Sequence, residues 1–185
     1  MKQCHNAPRK LYNSTNDGQN KRVKQNATLD SSFWINAVAG GLLDYLLEDF
    51  ALYLAPAVER ELPETYPSGA RLHRLIEKSR ITLAAPTVMV LERFGPGERE
   101  AISLAAQHRE WTLLLDDLRP FRAAGEMGLR PVSTPAYAAS LYERHVLDEV
   151  GVLTVLARLA ARGTVSPQLI ALALTQVATI LKERR

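Results

Sequence analysis

The chain has 185 residues, 46% of them apolar, with one cysteine and a formal net charge of +3. That is one ordinary domain with enough apolar surface for a core. A single thiol excludes an internal disulfide framework and a thiolate metal cluster, and no apolar run reaches the ~18 residues of a membrane span. The histidines, His5, His73, His108 and His145, are scattered without ligand spacing. No apolar leader opens the chain, so a soluble, reducing, cytoplasmic setting is the expectation.

The charge is unevenly spread. Residues 1–28 carry six Lys/Arg against one Asp, a net of +5, whereas residues 29–185 carry 17 Lys/Arg against 19 Asp/Glu, a net of −2. Residues 1–26 are rich in Asn, Gln, Lys and Ser, too poor in aliphatics to offset the entropy of ordering, and read as a disordered basic arm able to hold phosphates. Val23 to Leu29 give a weak first strand. Residues 32–49 carry apolar residues at helical spacing, and Gly40-Gly41 divides them into two helices. Trp34 is expected in the core. FALYL (50–54) reads as a strand and PAVEREL (56–62) as a short helix with proline in its first turn.

A further helix is expected over about 68–79, and ITLAAPTVMV (81–90) reads as a strand interrupted by Pro86. GPGEREAISLAAQHR (95–109) is a helix with Glu98 and Glu100 in its first turn, where the dipole favours carboxylates. WTLLL (111–115) is a short apolar run without alternation, the mark of a buried parallel strand. Next come helix 119–128, strand 129–134 and helices 136–148 and 150–162. Ser166 and Pro167 then open a last helix over 166–185. Strands alternating with helices specify a three-layer α/β/α sandwich with a mostly parallel sheet, spanning 27–165.

Carboxylates gather at the ends of these strands. Asp30 comes just after the first, Glu61 lies on the helix after the second, Glu98 and Glu100 open a helix, and Asp116 and Asp117 end WTLLL. In a parallel sheet all of these reach the same edge. Two carboxylates at ~4 Å repel by about 4 kcal/mol at an effective dielectric near 20. A hard divalent cation offsets that repulsion, and an all-oxygen set selects Mg²⁺ or Mn²⁺. Such an ion lowers the pKa of water and neutralises charge on a phosphodiester. For each residue alone, a helix cap or a solvated helix position is the simpler account.

Taken in order, LDSSFWINA (29–37), LAPAVEREL (54–62), GPGEREAISLAA (95–106), TLLLDDLRPFRAAGEMGLRPVST (112–134) and GVLTVLARLAARGTVSP (151–167) resemble the PIN domain family of metal-dependent nucleases. The resemblance is greatest to a prokaryotic subgroup with a Gly-Glu motif, related to toxins of toxin–antitoxin pairs. It implies a catalytic set of Asp30, Glu61, Glu100 and Asp117. Glu98 and Asp116 are further metal ligands, with Glu98 the rival of Glu100 for the third position. Ser32 and Asn36 would support them. Arg119 and Arg122, one helical step apart beyond the last acidic pair, either contact substrate phosphate or are ordinary solvated helix arginines, the simpler account. The implied activity is Mg²⁺- or Mn²⁺-dependent hydrolysis of single-stranded RNA. The implied partners are an RNA substrate and an antitoxin protein; the broad apolar stripe of the final helix packs on the domain, the simpler account, or meets an antitoxin or a second copy of the chain. A catalytically weak module that binds RNA or a protein partner is the alternative. The sequence departs from the family at Leu115, where Thr or Ser is usual, and in having Glu rather than Asp at the third acidic position.

Overall fold

In the computed structural model, which describes residues 23–184, the chain is a five-stranded parallel sheet flanked by helices. The basic arm lies outside the described residues except at its end, where Gln25 and Asn26 are already the first residues of a strand. The elements are β1 (Gln25–Leu29), α1 (Ser31–Gly40), α2 (Leu43–Asp49), β2 (Phe50–Leu54), α3 (Pro56–Glu61), α4 (Pro67–Glu77), β3 (Ile81–Leu83), α5 (Pro96–Gln107), β4 (Thr112–Leu114), α6 (Leu118–Glu126), β5 (Pro131–Val132), α7 (Thr134–Glu143), α8 (Glu149–Arg162) and α9 (Pro167–Glu183).

The sheet order is β3-β2-β1-β4-β5, with every pairing parallel. Parallel strands need crossover connections, and the helices between successive strands supply them. Chain order runs outward from β1 to β3, then jumps to β4 and runs outward the other way. α5 packs against β1 and β4, while α2 packs against β2 and α4 against β3. β1 is central, with Ala27, Thr28 and Leu29 fully buried. Leu113, Leu114 and Leu115 fill the neighbouring strand and its exit.

Three local features explain where elements stop. Gly41, at φ +74, ends α1 in the left-handed conformation that glycine adopts without a Cβ penalty. β3 is only three residues long, shorter than the 81–90 run of apolar residues suggests. Ala84 N–H still bonds Leu54 O at 3.0 Å, but Pro86 cannot donate and the chain leaves the sheet edge. The departing segment is held by side chains of α5, because Thr87 bonds Gln107 and Val90 N–H bonds Ser103 Oγ at 2.9 Å. β5 keeps two residues of the expected 129–134 strand, since Pro131 opens it and Ser133 caps α7.

Trp34 is fully buried, and its indole N–H donates to Ser68 O at 2.9 Å. It is a core residue with its polar edge satisfied. The apolar stripe of α9 divides: Leu169, Ile170, Val177 and Ile180 are buried, while Leu172 and Leu174 are exposed. Among the described residues, no helix is long and apolar enough to cross a membrane.

Candidate functional site

β1 and β4 run side by side in the middle of the sheet, and an aspartate lies just beyond each. Leu29 pairs with Leu114, and Asp30 N–H extends the ladder to Leu114 O at 3.1 Å. Asp116 lies two residues past Leu114. The strand order reverses between β1 and β4, and at such a switch point the connections diverge and leave a crevice beyond the carboxyl ends of the strands. The topology thus brings together two aspartates 86 positions apart in sequence.

Asp30 caps α1: its Oδ1 accepts the Phe33 N–H at 2.7 Å. Its Oδ2 is equally buried and has no hydrogen-bond partner among the described residues. Leaving a buried carboxylate oxygen unpaired is costly. Burial holds the Asp30 carboxyl well above the ordinary carboxylate range, and the charges of Asp116, Glu98 and Glu61 push the same way against the Phe33 bond.

Asp116 is buried too, but both its oxygens are engaged. Oδ1 accepts Thr134 N–H at 2.7 Å, and Oδ2 accepts Thr134 Oγ1 at 2.6 Å and Asn36 Nδ2 at 2.8 Å. Asn36 is itself fixed, because Thr164 Oγ1 donates to its Oδ1 at 2.6 Å. That bond sets which end of the amide faces the carboxylate. Burial raises the Asp116 pKa, and the bonds from Thr134 and Asn36 pull it part of the way back.

Three further carboxylates surround this pair. Glu61 ends α3, with Oε1 accepting Gly97 N–H at 2.9 Å and Oε2 accepting Ser31 Oγ at 2.6 Å. Gly97 is what permits this approach: a Cβ there would stand 2.3 Å from Glu61 Oε2. Glu98, in the first turn of α5, reaches back to Gly95 N–H at 3.3 Å. Its pKa is raised by partial burial and by Asp117 and Glu61, and lowered by the Gly95 N–H and the Arg119 charge. Asp117 is exposed and caps α6 through Arg119 N–H at 2.9 Å.

Glu100 does not join them. Its Oε2 accepts Ala57 N–H at 2.8 Å, and Arg60 stands 3.6 Å from its Oε1. Ala55, at the N-cap of α3, has no capping side chain. Glu100 supplies the missing acceptor from α5, which points it away from Asp30. Residues two apart on a helix face different ways, and here Glu98 faces the aspartates.

Of the expected supporting groups, Asn36 holds Asp116. Ser32 lines a cavity of about 170 Å³ beside Asp116, Asp117 and Thr164, while Ser31 makes the bond to Glu61. Arg119 stands by Glu98, and Arg122 is exposed one helical step on. Ser31, Thr134 and Thr164 are the site residues that sequence reading missed. Thr134, just past the fifth strand of a parallel sheet, is the one whose position signalled it.

The donor set suits a hard divalent cation: all oxygen, two members buried, and one buried oxygen of Asp30 unpartnered. Among the described residues, no three Asp, Glu, His or Cys side chains stand close enough to hold an ion in this conformation. Asp30 and Asp116 are buried and fixed, whereas Glu98 and Asp117 are each held by one local N–H bond.

Residues 27–179 match the family described as a PIN domain. The chain belongs to the PIN domain family. The PIN domain match begins within β1 and ends within α9, so it takes in every carboxylate of the cluster and the network behind Asp116. Among solved structures, this PIN domain is similar to a PilT N-terminus domain protein from the hyperthermophilic archaeon Sulfolobus solfataricus P2. The two share 12% identity over 58% of this chain and 86% of that chain, with a TM-score of 0.38. No curated protein matches this PIN domain chain.

Proposed function

We propose that this chain is a Mg²⁺- or Mn²⁺-dependent nuclease that hydrolyses phosphodiester bonds of single-stranded RNA. The observation that carries the reading is the buried Asp30–Asp116 pair at the ends of adjacent central strands, with one Asp30 oxygen lacking a donor. PIN domains are generally nucleases, which agrees with it. A cation bound there supplies Lewis acidity, lowering the pKa of water and offsetting charge on the phosphodiester.

The protein groups divide the remaining work. Asp30, Asp116, Glu98 and Asp117 would hold the cation. Glu61, tied to Gly97 and Ser31, fixes the spacing between α3, α5 and α1 around it. Thr134, Asn36 and Thr164 hold Asp116 in one orientation, the usual task of groups behind a metal ligand. Arg119, exposed beside Glu98, would meet a substrate phosphate. Charge-assisted pairing of that kind orients the phosphodiester without taking part in bond cleavage.

Calorimetric titration with Mn²⁺, paired with cleavage of a 5′-labelled single-stranded RNA, tests the proposal. Saturable heat together with Mn²⁺-dependent cleavage is expected. The absence of both sinks it. A second reading, an RNA- or protein-binding module without catalysis, is favoured by the spread of the carboxylates. It predicts RNA binding with neither Mn²⁺ heat nor cleavage. An antitoxin partner would meet the exposed apolar residues of α8 and α9, Val150, Leu153, Leu172 and Leu174. A small gene directly upstream whose product co-purifies with this chain would support that partner.

A further inference from the structure

A second charged feature lies on the opposite edge of the sheet. α2 ends at Asp49, immediately before β2, and α4 ends at Glu77, shortly before β3. Their C-terminal halves therefore flank the edge where these strands begin, whereas the carboxylates lie where the strands end. β2, at five residues, separates the two edges by roughly 17 Å.

Between α2 and α4 is an open groove of about 710 Å³, lined among others by Asp44, Glu48, Arg71, Arg74, Lys78 and Arg80. Arg71, Arg74 and Lys78 fall at spacings of three and four, which stacks them along one face of α4. All four cations are exposed. Arg71 stands 3.8 Å from Asp44, but both side chains are too exposed for that pair to contribute much. Among the described residues, Arg74, Lys78 and Arg80 have no carboxylate within ion-pair distance.

The backbone that delivers Arg80 is strained. Ser79 has φ +52, a left-handed conformation usually left to glycine. Ser79 N–H bonds Ile76 O at 2.8 Å, and Arg80 N–H bonds Leu75 O at 2.9 Å. This is the double bond pattern that closes a helix with its C′ residue left-handed. The turn folds the chain back and sets Arg80 on the groove beside Lys78. Strain of this sort persists where the surrounding structure holds it, often at binding sites.

We infer that this groove is a phosphate-backbone site for single-stranded RNA, gripping the strand at a distance from the carboxylates. The inference rests on the reading that RNA is the substrate, and it names where a longer strand is held. Four cations against two acidic residues, in an open groove, suit a run of phosphates and not a single buried anion. Their flexible side chains suit backbone contact without base recognition. Substrates long enough to span both edges gain from it, and very short ones do not.

The test uses the full chain in EDTA, with fluorescence anisotropy of a labelled oligo(U) of roughly 30 nucleotides, beyond the span of a single short binding site. The R74Q/K78Q/R80Q variant is compared with R158Q/R162Q/K182Q, which removes equal charge from exposed positions on α8 and α9. The groove set is expected to weaken binding about tenfold and to lower the slope of log K against log salt by about 0.7 per lost phosphate contact, near 2 in all. The control set should leave the slope unchanged. Equal losses from both sets, or none from the groove set, overturn the inference. So does poly-glutamate that competes as well as RNA does, which would assign the groove to an acidic protein partner. If the triple variant loses the parent's circular dichroism, Lys78→Gln alone replaces it, with an expected fall in slope of about 0.7. Because binding is read in EDTA, the two readings fail separately. RNA held by the groove but never cut with Mn²⁺ sinks the nuclease reading alone. Cleavage by the parent, with unaltered binding by the groove set, sinks only the groove.

Discussion

Asp30 does two things that pull against each other. Its Oδ1 stabilises α1 as a cap, while its Oδ2 is buried without a partner. Asn keeps the cap, since Asn and Asp are about equal there, and removes the buried charge. Asp30→Asn is therefore expected to lower Mn²⁺-dependent RNA cleavage at least a hundredfold while leaving the Tm in metal-free buffer unchanged or a few degrees higher. A fall in Tm matching the fall in activity would mean that Asp30 is only structural. Glu98 and Glu100 separate in the same way. Glu98→Gln should cost cleavage about 10–100-fold, the scale seen when groups around a metal are altered, with little change in Tm. Glu100→Ala should cost about 1 kcal/mol through loss of the Ala57 N–H acceptor, with cleavage near that of the parent. Parental cleavage from Glu98→Gln alongside a large loss from Glu100→Ala would reverse this assignment.

At the scale of elements, two glycines show how helices are placed by backbone contact. A Cβ on Gly97 would meet Glu61 side-chain atoms at 2.3–2.7 Å, and one on Gly69 would meet Pro63 O at 2.1 Å and Leu62 O at 2.6 Å. A carboxylate on an exposed side chain can swing aside, whereas a backbone carbonyl cannot. Gly97→Ala is expected to keep the parent's Tm within about 2 °C, under 1 kcal/mol for a chain of this size, but to lose most cleavage because Glu61 is displaced. Gly69→Ala should cost about 1–3 kcal/mol, visible as a lower denaturant midpoint. If the two variants showed the same loss of stability, the argument from side-chain freedom would be wrong. The strands and helices were largely legible in the sequence, because their signals are local: FALYL, the turn before α5, and Ser166-Pro167 before α9. The site was legible only as acidic residues at strand ends. Nothing local distinguishes Glu98 from Glu100, since the choice turns on the uncapped N-terminus of α3, 43 positions away in sequence. The bonds of Thr134 and Thr164 to Asp116 and Asn36 likewise depend on strand order. Composition overstates β3, because the apolar run continues past the point where Pro86 ends the ladder.

For the whole molecule, the cluster ties folding to pH and to divalent ions. Asp30, Asp116 and Glu98 all have folded pKa values raised, in each case chiefly by burial. A raised carboxyl pKa means that the fold prefers the protonated form. The stability this confers is complete below the unfolded carboxylate pKa of about 4 and is lost as pH rises through the folded values. In EDTA, the contribution of these three groups therefore falls as pH rises above about 4. A cation bound among them reverses the loss, because it binds the ionised form and stabilises the folded state by mass action. Thermal melts in EDTA should give a higher Tm near pH 5 than near pH 7.5. Mn²⁺ should raise the Tm by several degrees at the higher pH and by much less at the lower. Asp30→Asn should lessen the slope of the EDTA profile and shrink the Mn²⁺ increment together, because its buried carboxylate contributes to both. A Tm in EDTA that rises steadily from pH 5 to pH 7.5, with no Mn²⁺ increment at either, would show that the buried charges are tolerated without a cation.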